Sequence, residues 1–104
     1  MKTTMVRYRT FAGRAEENAA LVRAVYDELR AKKPAGFHYA THRLADGVSF
    51  VHVAVLTSGH ESPLQSLPAF QAFTKDIRSR CEEPPLVSEL SGVDSFAWFS
   101  DSAS

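Results

Sequence analysis

Residues 36–56 read GFHYATHRLADGVSFVHVAVL, and this stretch decides the fold. Two β-type runs, 36–44 and 48–56, are joined by Ala45-Asp46-Gly47. Asp-Gly between two such runs is a strong hairpin signal, because glycine readily adopts the left-handed conformation that tight turns need. The stretch therefore predicts a β-hairpin.

A strand and a helix are predicted before the hairpin. Residues 4–11 alternate with the period of a strand. Residues 14–33 carry apolar side chains at helical spacing, with acidic residues in the first turn and basic residues in the last, where the helix dipole favours each. Pro34 and Gly36 then end the helix.

A second helix and a last strand are predicted after the hairpin. A capping serine and a first-turn proline favour a helix over residues 66–81, and Glu-Glu-Pro-Pro at 82–85 ends it. Residues 86–99 form an extended segment, and its apolar parity changes near Gly92, which predicts a bulge there. The order β-α-β-β-α-β is typical of the ferredoxin-like α+β fold, with an antiparallel sheet and both helices on one face.

Length and composition restrict the class of protein. The 104 residues predict a single domain over 1–104, with a polar tail from about residue 100. The 12 Lys and Arg balance 12 Asp and Glu, so no nucleic-acid partner is expected. The single cysteine, Cys81, excludes an internal disulfide framework. No apolar run is long enough for a membrane span and no signal peptide is evident, so we expect a cytoplasmic protein.

The third strand is apolar on both of its faces. Val51, Val53 and Val55 alternate with Phe50 and other mainly apolar residues. In a sheet with helices on one face, the second face is normally exposed to water and therefore polar. The chain has no further element to cover that face, so the sequence predicts a homodimer.

With this element order and this two-faced sheet, the chain resembles the dimeric α+β barrel superfamily, including its small antibiotic-biosynthesis-monooxygenase-like proteins. Residues 64–73, LQSLPAFQAF, are similar to the loop and second helix of that group, and residues 80–85, RCEEPP, are similar to the segment after that helix. The resemblance extends from about residue 6 to residue 99. It implies a homodimer whose sheets meet face to face around an internal cavity.

The resemblance implies several possible activities, because the superfamily contains cofactor-independent oxygenases, haem-degrading enzymes, dismutases and isomerases. The haem-degrading branch has a histidine iron ligand on its second helix, and residues 66–81 contain no histidine. We therefore expect no haem, and no other cofactor is indicated. The Asn-Trp-Tyr set of the oxygenases has no residue-by-residue match, since the only Asn is Asn18 on the first helix and the only Trp is Trp98.

The register of the hairpin decides which histidines share a face. With a three-residue loop, Leu44 pairs with Val48, and His38, His42 and His52 face the same side. With a two-residue Asp-Gly turn, His38 and His42 lie opposite His52, because a one-residue slip reverses every side chain. We favour the three-residue loop, which places His38, His42, Phe50 and His52 on the face away from the helices, toward the cavity.

His52 is the candidate catalytic residue. A buried neutral imidazole could accept a proton from a phenol or an acidic C–H group. The predicted ligand pocket around it consists of Arg7, Arg9, His38, His42, Phe50 and Trp98. The arginines could pair with an anionic ligand or form ion pairs within the protein, and the histidines could equally be buried hydrogen-bonding groups. A metal site is not predicted, since no carboxylate stands at a recognisable ligand spacing.

Two functions remain open at this point. The first is a small homodimer whose cavity holds a small, partly apolar ligand without a reaction. The second is an enzyme that uses the cavity for cofactor-independent oxygenation or isomerisation of a small aromatic substrate. An open, polar pocket would favour the enzyme, and a cavity closed by Phe50, Leu56 and Trp98 would favour the binding protein.

Overall fold

A computed structural model, which describes residues 1–97, shows four strands and three helices in the predicted α+β arrangement. The four antiparallel strands form one sheet in the order β2-β3-β1-β4. Within residues 1–97, no helix is both long and apolar enough to cross a membrane. The elements are β1 (Lys2–Thr10), α1 (Ala15–Lys32), β2 (Phe37–Arg43), β3 (Ser49–Leu56), α2 (Pro68–Lys75), α3 (Ile77–Arg80) and β4 (Cys81–Leu90), with 3₁₀ turns at Ala12–Arg14 and Leu64–Ser66.

The predicted second helix is interrupted and shorter than expected. Asp76 has φ −119° and ψ 25°, outside the helical region, and it separates α2 from α3. The residues expected to end the helix, 82–85, lie instead inside β4. An edge strand tolerates its two prolines, because a proline N–H is not needed on the unpaired side.

The bulge lies earlier in β4 than the sequence predicts. The β1–β4 ladder shifts register between Arg7 and Arg9, where the partners step from Leu86 to Glu83. The extra β4 residue of this shift falls at Pro84-Pro85, which cannot donate to the ladder. A second shift follows between Arg9 and Thr10, whose partners step from Glu83 to Cys81. The prediction of a bulge near Gly92 was therefore wrong, since β4 ends at Leu90. The remainder of the predicted last strand includes residues 98 and 99, which lie outside the described residues.

The hairpin turn is a four-residue loop closed by Asp46. Leu44 N–H donates to the Ser49 carbonyl at 2.9 Å, and the Asp46 carboxylate accepts from the backbone N–H groups of Val48 and Ser49 at 2.9 and 2.8 Å. The Ser49 hydroxyl also donates to Asp46, at 2.6 Å. These hydrogen bonds, led by that of Ser49, lower the pKa of Asp46 to about 2. The loop held by this carboxylate therefore contains residues 45–48, one more than the three-residue loop favoured from the sequence.

With this loop the two strands pair as expected for the two-residue turn, the alternative considered from the sequence. Thr41 pairs with His52, and His42 pairs with Val51. Phe50 and His52 therefore face the helices, whereas His38 and His42 lie on the opposite face. The favoured prediction of all three histidines on one face was wrong, and so was the placement of Phe50 away from the helices.

The main core lies between the helices and the helix-facing side of the sheet. Tyr8 stacks on Phe50 with ring centroids 5.5 Å apart, and Val25, Leu67 and Phe73 close around them. The other side of the sheet carries a half-buried apolar surface. This second apolar face agrees with the pattern read from β3.

Candidate functional site

A cavity of about 550 Å³ lies between the helix-facing side of the sheet and the α2–α3 segment. Pockets that hold small organic ligands typically span about 300–1,000 Å³. Exposed Lys2 and Arg78 border it, and no carboxylate appears among its described lining residues. The apolar walls come from Val6, Phe37, Ala54, Leu56, Leu64, Phe70, Phe73, Ile77, Pro85 and Val87.

His52 and Tyr39 are the polar residues of the cavity wall that connect to the core, and Thr4, Ser62, Gln65 and Thr74 add further polar groups to the lining. His52 is only 3% exposed, because its ring packs against Tyr8, Tyr39 and Phe73 with centroids 5.3, 5.8 and 5.5 Å away. Its Nε2 lies 2.8 Å from the Tyr8 hydroxyl. Its Nδ1 lies 2.9 Å from the Tyr39 hydroxyl and 2.8 Å from Thr41 Oγ1. Both ring nitrogens therefore already have protein partners.

A chain of buried polar groups continues from His52 into the core. Asn18 donates through Nδ2 to the Tyr8 hydroxyl at 2.8 Å, and its Oδ1 accepts from Arg80 Nε at 3.2 Å. Arg80 Nη2 donates to the carbonyl of Phe73 at 2.6 Å. Asn18 is fully buried and Arg80 is 1% exposed. The network thus joins β1, β3, α1 and the end of α3.

Burial keeps His52, Tyr8 and Tyr39 of this network neutral. Removal from water lowers the pKa of His52 to about 4. Burial likewise raises the pKa of Tyr8 and of Tyr39 well above the usual tyrosine value. At neutral pH the site therefore presents a neutral imidazole between two protonated phenols.

The other residues of the predicted pocket lie elsewhere. His38 and His42 border a separate depression of about 510 Å³ on the opposite face, with Val53 and Val55. Phe50 is buried in the core and does not line the His52 cavity.

The two predicted arginines are also separated from His52. Arg7 and Arg9 pair with Val51 and Ser49 of β3, so they share the face opposite His52. Arg9 forms an ion pair with Glu83 at 3.8 Å, the alternative role considered for these arginines. Trp98 lies outside the described residues. Within residues 1–97 there is no group of three or more histidine, cysteine or acidic side chains that could hold a metal ion.

The sequence prediction omitted most of the network: Tyr8, Asn18, Tyr39, Thr41 and Arg80. One of them left a readable signal. Asn18 lies three residues after Ala15 and four before Val22, so a polar amide interrupts the apolar stripe of α1. A buried amide needs hydrogen-bond partners, which makes such a position a candidate for a core network. Tyr8 and Tyr39 looked like ordinary core aromatics.

Solved structures with the same architecture are known. A candidate antibiotic biosynthesis monooxygenase from Nitrosomonas europaea aligns with a TM-score of 0.74 at 15% identity, covering 90% of this chain and 100% of that one. A Mycobacterium tuberculosis protein aligns with a TM-score of 0.68 at 18% identity, covering 90% and 96%. The chain has the antibiotic-biosynthesis-monooxygenase-like fold. The resemblance read from the sequence is thereby confirmed at the level of the fold.

One further structure of the antibiotic-biosynthesis-monooxygenase-like fold has a described reaction type. It is a cofactor-independent oxygenase from Streptomyces nogalater, which aligns with a TM-score of 0.64 at 18% identity, covering 93% of this chain and 98% of that one. No protein-family profile and no curated protein sequence matches the chain. Identities this low establish the fold and leave the reaction to be argued from the site.

Proposed function

We propose that the chain is a homodimer whose cavity binds a small, planar, largely apolar ligand with a phenol or enol group and stabilises the ligand as its anion. Such an anion is the reactive species for cofactor-independent oxygenation by dioxygen, and also for isomerisation by protonation at another atom. The observation that carries the proposal is the buried polar network, which meets the cavity at Tyr39 and His52. The oxygenase with this fold is consistent with that chemistry.

The composition of the cavity wall supports an aromatic ligand with an acidic group. Apolar side chains supply most of the wall, so burial of a planar hydrocarbon framework in the cavity would be favourable. Arg78 at the rim favours a negative charge on the ligand, whereas Lys2 is paired with Glu89 at 3.9 Å. The polar end at Tyr39 and His52 is the place where a ligand oxygen would meet the buried network.

The chemistry at the polar end is better described as anion stabilisation than as base catalysis. A pKa of about 4 makes His52 a weak base toward a phenol. The Tyr39 hydroxyl, held 2.9 Å from His52 Nδ1, can instead donate a hydrogen bond to a ligand oxygen. Donors fixed in a dry site stabilise a developing oxyanion because they need no reorganisation. The ligand proton leaves to water at the rim.

The exposed apolar side chains of β4 and the residues after it support the homodimer. Leu86 and Leu90 are 67% and 40% exposed, and Val93 and Phe96 are 100% and 95% exposed. Leu86 pairs with Arg7 and Leu90 with Thr3, so both face away from the helices. Large exposed apolar patches mark interaction surfaces. A second copy of the same sheet offers a matching apolar surface.

A phenol with a coloured anion, 4-nitrophenol, tests the proposal directly. Its ionisation is titrated spectroscopically in water and when bound to the protein. A hydrogen bond to a charged group contributes about 1.5–3 kcal/mol, so the pKa of the bound probe should fall by about 1–2. Tyr39→Phe should remove most of this decrease. Tyr26→Phe is the comparison variant: its hydroxyl does not border this cavity but bonds to Thr41 of the network, so its removal should reduce the decrease much less than Tyr39→Phe does.

Two results would contradict the proposal. One is a bound probe whose pKa equals its value in water. The other is a lowered pKa that survives Tyr39→Phe unchanged. The first result would leave a ligand-binding cavity without anion stabilisation, which is the binding-protein alternative.

A further inference from the structure

We propose that Asn18 and Arg80 are positioning residues that set the direction of the hydrogen bonds through Tyr8 and His52, so that Tyr39 acts as a donor toward the cavity. The consequence for a ligand rests on the proposed function. The hydrogen-bond direction itself is a property of the protein without ligand.

The direction begins at Arg80. A guanidinium group has only donors, so the Asn18 atom that faces Arg80 Nε at 3.2 Å must be the carbonyl oxygen. No carboxylate of residues 1–97 lies within ion-pair distance of Arg80, which is 1% exposed. The amide of Asn18 is thereby held in one orientation, with Nδ2 toward Tyr8.

Tyr8 passes the direction on to His52. Because its oxygen accepts from Asn18 Nδ2 at 2.8 Å, its own proton has one acceptor nearby among the described residues, His52 Nε2 at 2.8 Å. The opposite tautomer of His52 would leave the Tyr8 hydroxyl proton without an acceptor at a position that is 2% exposed. Leaving such a buried donor unsatisfied is unfavourable.

His52 therefore carries its proton on Nδ1. This N–H points at Tyr39 and Thr41, and both oxygens act as acceptors toward it. The Tyr39 proton is then not needed by His52 and is available to a ligand oxygen in the cavity. Hydrogen bonds aligned in one direction polarise one another, and the cation at the far end of this chain acts in the same sense.

A single-atom change reverses the chain. In Asn18→Asp a carboxylate oxygen replaces the amide nitrogen, so the group facing Tyr8 becomes an acceptor. Tyr8 then donates to residue 18, and its oxygen accepts from His52 Nε2–H. His52 Nδ1 in turn accepts a hydrogen bond from the Tyr39 hydroxyl. The variant should fold, because the new carboxylate lies beside the buried Arg80 guanidinium.

The first measurement is the tautomer of His52, read from imidazole ¹⁵N chemical shifts in the ligand-free protein. We expect Nδ1–H in the wild type and Nε2–H in Asn18→Asp. Ala24→Glu adds a negative charge at an exposed position of the same helix and should leave the tautomer unchanged. Wild-type His52 in the Nε2–H form would overturn the inference, whether or not the aspartate variant folds. An unchanged tautomer in a folded Asn18→Asp protein would also overturn it.

The second measurement is the pKa of bound 4-nitrophenol. In Asn18→Asp the decrease seen with wild type should be lost, as in Tyr39→Phe, while Ala24→Glu retains it. The two proposals can fail separately. If His52 switches tautomer in Asn18→Asp but the wild type does not lower the pKa of the bound probe, the hydrogen-bond direction is supported and the proposed function is refuted. A probe pKa lowered equally in wild type and in a switched Asn18→Asp refutes the donor role assigned to the chain.

Discussion

The burial of His52 should make the stability of the protein depend on pH in a defined window. Its pKa is about 4 in the folded protein against 6.5 for the free side chain, and it is 3% exposed. The unfolded chain therefore binds the extra proton between these two values. Stability is complete above about pH 6.5 and falls as the pH drops toward 4. The difference corresponds to about 3 kcal/mol, a large part of the 5–15 kcal/mol typical of a domain.

The assay compares the wild type with His52→Gln, which cannot titrate, by urea denaturation across this range. Glu16, Glu17 and Asp46, whose carboxyl pKa values are lowered by hydrogen bonds, also lose stabilisation in acid, but they are present in both proteins. The difference in unfolding free energy between the two proteins should therefore change by about 3 kcal/mol from neutral pH to about pH 4. Parallel stability curves would show that His52 is not held neutral by burial.

Two further predictions concern the backbone and the assembly. Gly36 has φ 71°, and a Cβ there would collide with the His60 ring. Gly36→Ala should therefore lower the free energy of unfolding by about 1–3 kcal/mol, seen as a lower urea midpoint. Gly13→Ala, which meets no atom within 4 Å, should change it little, and equal effects would contradict the argument. Light scattering should give twice the mass of one chain for the wild type. Leu86→Lys should reduce that mass without loss of the circular dichroism spectrum, since Leu86 is already 67% exposed in the single chain. A wild type of single-chain mass would refute the homodimer.

The order of the elements could be predicted from the sequence because it depends on local chemistry. The Asp-Gly turn, the apolar stripe of residues 14–33 and the two-faced third strand are all set by residues close together in the chain. These patterns predicted the α+β fold that the structure shows. His52 was a reasonable candidate on the same grounds, since a histidine in the middle of an apolar strand stands out.

Only the tertiary structure decided which face His52 occupies and what surrounds it. One extra loop residue, held by Asp46, reverses the faces of the β3 side chains relative to those of β2. The hydrogen bonds from Val48 and Ser49 to Asp46 that hold this loop cannot be read from the sequence pattern. The network that joins Tyr8, Asn18 and Arg80 to His52 spans up to 62 positions in sequence between Asn18 and Arg80. Contacts over such separations depend on how the helices dock on the sheet, and that docking is a property of the whole core.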